Sequence, residues 1–153
     1  MAAAAPETPD PRPALFTRAL PVAAMVLVAL NDHVLKGAGL LPGWLTGKLS
    51  DFAGLYFAPL LVAELWMFAR PSPMARVPVR RVAWAALGFG VLFTAIKTSA
   101  PADALYEAAL SALLRRPASN TVDPTDLAAL GMLAVAVWDA RRLMRRGRLA
   151  RHA

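Results

Sequence analysis

The triplet Asn31-Asp32-His33 sets an amide, a carboxylate and an imidazole side by side. Imidazole titrates near neutrality, so His33 is a candidate proton carrier. One His beside carboxylates is a poor metal-ligand set, and no metal or other cofactor is expected. Asp32 and Lys36 stand four residues apart, the spacing of a simple ion pair on one helix face. A second group is Lys48-Leu49-Ser50-Asp51, with Lys48 and Asp51 three residues apart. An acid suits the first turn of a helix and a lysine does not, so Lys48 is expected to have a partner or an anionic ligand. Asp51, Gly54 and Ala58 share a face on which small residues permit close helix packing. A third group, Asp123-Pro124-Thr125-Asp126, has the form of a helix start: capping acid, proline, then a second acid. Two carboxylates at one helix mouth could also hold a cation or share a proton. Lys97 closes an apolar run, where it either snorkels to a surface or meets the aspartates. Glu64 lies inside another apolar run, and an intramembrane carboxylate is a functional candidate.

The elements that must position these groups are apolar. The chain has 153 residues, 58% of them hydrophobic, and they fall in blocks rather than in the spacing of a soluble amphipathic helix. Four blocks read as membrane helices at about 14–36, 48–69, 82–98 and 123–138, each near the ~20 residues a bilayer needs. Lys36-Gly37 is a helix stop, residues 37–47 read as a Gly/Pro loop with Trp44 as an interface anchor, and Pro59 is expected to kink helix two. Residues 104–114 read as a short helix on the membrane surface. Residues 1–13, rich in Ala and Pro, read as a disordered tail, and 141–153 as a basic cytoplasmic tail. Arg18 followed by Ala19–Leu30 also fits a signal peptide, although no small-x-small cleavage site follows. A soluble helical bundle is the other rival, and it would need a partner for every helix face.

Charge placement sets the topology. Of the 17 Lys and Arg residues, twelve lie before or in the first turns of helix one, between helices two and three, or after helix four. The other five are Lys36, Lys48, Lys97, Arg115 and Arg116. The positive-inside rule then puts both termini in the cytoplasm of a bacterial inner-membrane protein. Asn31, Asp32, His33, Lys48, Asp51, Lys97, Asp123 and Asp126 would share the outer face as a binding pocket. The net charge of +7 flanks apolar segments, which favours lipid headgroups over nucleic acid. The absence of Cys excludes thiol chemistry, disulfides and Cys-ligated metals. No Gly-rich phosphate loop, nucleophile elbow or metalloprotease helix is present.

The segments Lys48-Leu49-Ser50-Asp51-Phe52 and Arg116 to Gly131 resemble the openings of the second and last helices in VanZ-like proteins, small four-helix bacterial membrane proteins. About half the chain is covered. Asp51 stands where that family has His, and Ile96-Lys97-Thr98 replaces its Glu/Gln pair. The resemblance implies an envelope role; the same layout fits a different membrane family equally.

The fold expected is therefore an all-α four-helix transmembrane bundle with one interfacial helix. Three functions are open. The first is an outward pocket for an amphiphile or lipid headgroup. The second is an enzyme acting on a lipid or polyprenyl phosphate, with His33 and Asp51 as acid/base pair. The third is a structural or assembly subunit in which the same charges are ion pairs and caps. Membrane lipids are the expected partners, and a homo-oligomer is compatible with all three.

Overall fold

The computed structural model describes residues 18–69 and 79–149, and among them it is all-helical, with no strand. Helix α1, Ala19–Leu30, runs without a break into a π-helical turn, Asn31–Leu35, and a last turn, Lys36–Ala38. Helix α2 spans Gly43–Ala69, α3 Val79–Thr98 and α4 Ala100–Leu114. A 3-10 segment, Pro124–Leu130, leads into α5, Gly131–Leu149. The expected tail at 1–13 and most of the basic turn between α2 and α3 lie outside the described residues.

Several boundaries differ from expectation for identifiable reasons. The wider π turn carries α1 past Lys36-Gly37, and it is Gly39 that ends it, at φ +63. Without a Cβ, glycine takes that left-handed position at little steric cost. Helix α2 starts at Gly43 rather than Lys48, because the Pro42 carbonyl accepts from both Leu45 N and Thr46 N. The Thr46 hydroxyl then donates to Gly43 O at 3.0 Å. Pro59 lies buried inside α2, which continues through it to Ala69. Helix α4 begins four residues early, since Pro101 is tolerated in a first turn and Ser99 alone, in extended conformation, separates it from α3. Helix α5 continues past Trp138 into the basic segment. Arginine is a good helix former, and Arg142 stacks over the Trp138 ring at 5.3 Å.

Helix α2 is central: it packs on α1, α3 and α5, while α3 packs on α2, α5 and α4. One core cluster joins Tyr56, Leu60 and Ala63 of α2 to Val82 of α3 and to Ala136 and Ala140 of α5. A second joins Leu55, Ala86, Phe93, Ile96, Ala129 and Leu133. The small-residue approach anticipated at Gly54 is not there; nothing lies within 4 Å of a Cβ built on it. The tight approach is at Gly90, where a Cβ would meet Leu133 Cδ1 at 3.2 Å. The end of that leucine can yield, so Gly90→Ala is expected to cost under ~1 kcal/mol, whereas Gly90→Leu overpacks α3 against α5 and costs about 1–3 kcal/mol. Thermal unfolding of both variants in detergent measures the difference.

Two helical stretches, Gly43–Met67 with 25 residues and Val79–Thr98 with 20, are long and apolar enough to cross a membrane. Ala19–Leu35 is a shorter apolar helix. Large apolar side chains stand exposed along them, among them Leu65 and Trp66 on α2 and Trp84, Leu87 and Val91 on α3.

Candidate functional site

The 3-10 segment determines how the first charge network forms. Side chains three apart eclipse one another in a 3-10 helix, so Asp123, Asp126 and Ala129 line one edge. Asp123 caps the segment: its Oδ1 accepts from Thr125 N at 2.9 Å and from the Thr125 hydroxyl at 2.7 Å. Asp126 and Ala129 are buried against the bundle. Helix α2 brings Lys48 and Asp51 to this edge, and α3 brings Lys97.

The sequence neighbours Lys48 and Asp51 take partners on other helices. Lys48 Nζ lies 2.5 Å from Asp126 Oδ1, 3.5 Å from Asp123 Oδ2 and 2.7 Å from the Thr125 hydroxyl. Lys97 Nζ lies 2.8 Å from Asp126 Oδ2 and 3.1 Å from Asp51 Oδ2. It also donates to Asn120 Oδ1 at 3.1 Å and to Thr121 O at 3.4 Å. Asp126 thus uses one carboxylate oxygen for each lysine and ties α2 and α3 to the start of α5. Two cations face three anions, so the network is acidic by one charge. Its members differ in access. The side chains of Lys97 and Asp126 are 5% and 8% exposed, those of Lys48 and Asp123 27% and 37%. The inner pair is sealed, and the rim presents a cation, an anion and the Thr125 hydroxyl. Tyr106 of α4 sits half-buried nearby; burial, then the charge of Asp51, push its phenol above the usual range.

Asn31 and Asp32 belong to a separate cluster between α1 and α2. The fully buried Asn31 donates from Nδ2 to Thr46 O at 2.6 Å and to Ser50 Oγ at 2.5 Å. The Ser50 hydroxyl donates to Asp32 Oδ1 at 2.8 Å, and Lys36 Nζ reaches the same oxygen at 2.7 Å. Here the expected i, i+4 pair does form. Asn31 Oδ1 is buried with no hydrogen-bond partner among the described residues. His33 is exposed on the π turn, and no side-chain hydrogen bond or ion pair joins it to another described residue. It is not brought to Asp51, whose carboxylate engages Lys97. Glu64 is buried in α2, thirteen residues beyond Asp51 and so roughly 20 Å away along the helix.

Sequence reading missed several participants. Asn120 links the network to α4, because its backbone N–H donates to Glu107 Oε1 and its side-chain amide to Asp103 Oδ1. A second polar layer also went unread. The Arg18 guanidinium contacts both oxygens of Asp139, at 2.9 and 3.1 Å, and the Tyr56 hydroxyl donates to Asp139 Oδ2 at 3.0 Å. The available signal was the lone Arg18 heading the first apolar run and the lone acid following the last one.

Among the described residues, no group of three or more His, Cys, Asp or Glu side chains is arranged to hold a metal ion. No family model, curated protein or solved structure matches the chain.

Proposed function

We propose that this is a small multi-pass protein of a bacterial inner membrane, with both termini cytoplasmic and an outward polar site that binds the headgroup of an amphiphile. One observation carries the reading: a network of two lysines and three aspartates from three chain segments lies at one end of a helical bundle whose sides expose large apolar side chains. Leu65, Trp66, Trp84, Leu87 and Val91 are all exposed on the two helices long and apolar enough to cross a membrane, and large apolar patches mark membrane or partner surfaces. The Arg-rich segments belong to the other ends of the same helices, as the positive-inside rule asks of a cytoplasmic face. The four spans are α1 with its π turn, α2, α3, and the 3-10 segment with the first turns of α5. A 3-10 helix rises about 2.0 Å per residue against 1.5 Å, which lengthens the shortest apolar run.

The rim chemistry defines the guest. Lys48, Asp123 and Thr125 complement a headgroup that carries a phosphate beside an ammonium or hydroxyl. The VanZ-like segments coincide with these rim residues and are in keeping with an envelope role. A structural or assembly role is the second reading, favoured by the full pairing of Lys97 and Asp126 at the network's centre.

Phospholipid retained by detergent-purified protein, quantified by native mass spectrometry, separates the two. Lys48→Gln and Asp123→Asn are expected to lower retention about tenfold, the effect of losing ~1.4 kcal/mol of headgroup contact, while the melting temperature moves little. Equal retention in wild type and both variants would leave the structural reading in place. The topology is checked separately with an impermeant maleimide on intact cells. Ala38→Cys and Ala118→Cys should label, and Ala75→Cys and Ala150→Cys should not.

A further inference from the structure

Helix α4 has its polarity reversed relative to a helix lying on a protein surface in water. Its polar stripe, Asp103, Glu107 and Ser111, recurs every fourth residue and faces the chain's own returning loop. Asp103 and Glu107 accept from Asn120, and Ser111 Oγ accepts from Ala118 N at 2.9 Å. The opposite stripe is apolar throughout. Leu105 and Leu113 are 73% and 78% exposed, with the exposed alanines 104, 108, 109 and 112 beside them. The helix packs on α3, whose own exposed face carries Trp84, Leu87 and Val91. It ends at Leu113-Leu114-Arg115-Arg116. Arg115 takes the left-handed position, at φ 53, that turns the chain back along the polar stripe and leaves both arginines exposed. An apolar stripe that terminates in a dibasic step matches the boundary between acyl chains and phosphates.

We propose that α4 and its returning loop form a hairpin set into the outer leaflet, with Arg115 and Arg116 binding the headgroups of anionic phospholipids. This rests on the membrane reading above but not on the headgroup site at Lys48. The polar stripe is satisfied within the hairpin, so burial of the apolar stripe in lipid leaves no carboxylate without a partner. The paired arginines attract phosphate by charge and by their forked hydrogen-bond donors.

The test uses the Cys-free background. Leu113→Cys and, as a reference in α3, Val91→Cys carry an environment-sensitive fluorophore. Each is reconstituted in vesicles of equal parts phosphatidylcholine and phosphatidylglycerol, with one lipid or the other brominated as quencher. Both probes should be quenched by lipid, and Leu113 more strongly by brominated phosphatidylglycerol. The expected enrichment is roughly fivefold per arginine. Arg115→Gln with Arg116→Gln should abolish that preference and leave the Val91 signal unchanged. If Leu113 responds only to aqueous iodide while Val91 is quenched by lipid, the hairpin proposal fails and the membrane reading stands. If neither probe is quenched by lipid, both fail. Equal quenching of Leu113 by the two lipids, or a preference that survives the double substitution, overturns the arginine site.

Discussion

Asp126→Ala is expected to be the most damaging charge removal in the network. The substitution takes a carboxylate from between two ammonium groups, at 2.5 Å from Lys48 and 2.8 Å from Lys97. Lys48 keeps Asp123 at 3.5 Å and is partly exposed, so it can rehydrate. Lys97 cannot, because its side chain is 5% exposed and only Asp51 would remain beside it as a counter-charge. Breaking a buried pair by removing one partner costs about 3–5 kcal/mol, since it leaves a charge in a medium that solvates it poorly. The loss should therefore follow Lys97. In a Lys97→Met background the same Asp126→Ala change should cost about 1–3 kcal/mol less, the interaction energy a double-mutant cycle reports for contacting groups. Unfolding of the four proteins in detergent measures the cycle. Additive losses would mean that Asp126 acts through Lys48 or through its own helix and that the shared-carboxylate geometry carries little energy.

The types of the participating residues were legible in the sequence; their partners were less so. Asp51, Lys97 and Asp126 stand out because charge in apolar context is costly, whatever the fold. The i, i+4 pair Asp32–Lys36 was legible as well, because local spacing decides it. Lys48 and Asp51 show where that logic stops. Their spacing suits a mutual pair, yet each goes to a different helix, because the register of α2 against α3 and the 3-10 segment brings opposite charges closer. Apolar periodicity does not distinguish 3.0, 3.6 and 4.4 residues per turn over five to seven residues. That hid both the π turn at Asn31–Leu35 and the 3-10 segment at Pro124–Leu130. Those two irregular turns decide the site. The π turn buries Asn31 while leaving His33 exposed, which divides one anticipated pocket into two clusters. The 3-10 turn aligns Asp123 with Asp126 at the rim and centre of the other.

The layer around Asp139 yields the second large effect. Asp139 was hidden in the sequence because helix four seemed to end at Trp138, with a basic tail beyond; in the structure α5 continues, so Asp139 faces inward as part of the bundle. It follows Asp126 by thirteen residues, roughly 20 Å by helical rise. Asp139→Ala strips a two-oxygen contact from Arg18 and the acceptor from a hydroxyl on Tyr56, a residue that is 2% exposed. The expected loss is about 2–3 kcal/mol, most of it the Tyr56 hydroxyl left buried without its acceptor, since the Arg18 side chain is 34% exposed and rehydrates. Tyr56→Phe removes only a hydroxyl that donates to Asp139, which keeps Arg18, so it should cost about 1.5–3 kcal/mol as a bond to a charged group. Arg18→Met combined with Asp139→Leu removes both charges but still leaves the Tyr56 hydroxyl without its acceptor, so it should recover only part of the stability lost by Asp139→Ala alone. Melting temperatures in detergent rank the set. Arg18 heads α1 and Asp139 sits on α5, two helices that otherwise meet mainly through α2. Asp139→Ala should therefore loosen α1 selectively, seen as faster amide exchange across Ala19–Leu30 than across Val79–Thr98; equal loosening of both helices would count against the pair as the lock on α1.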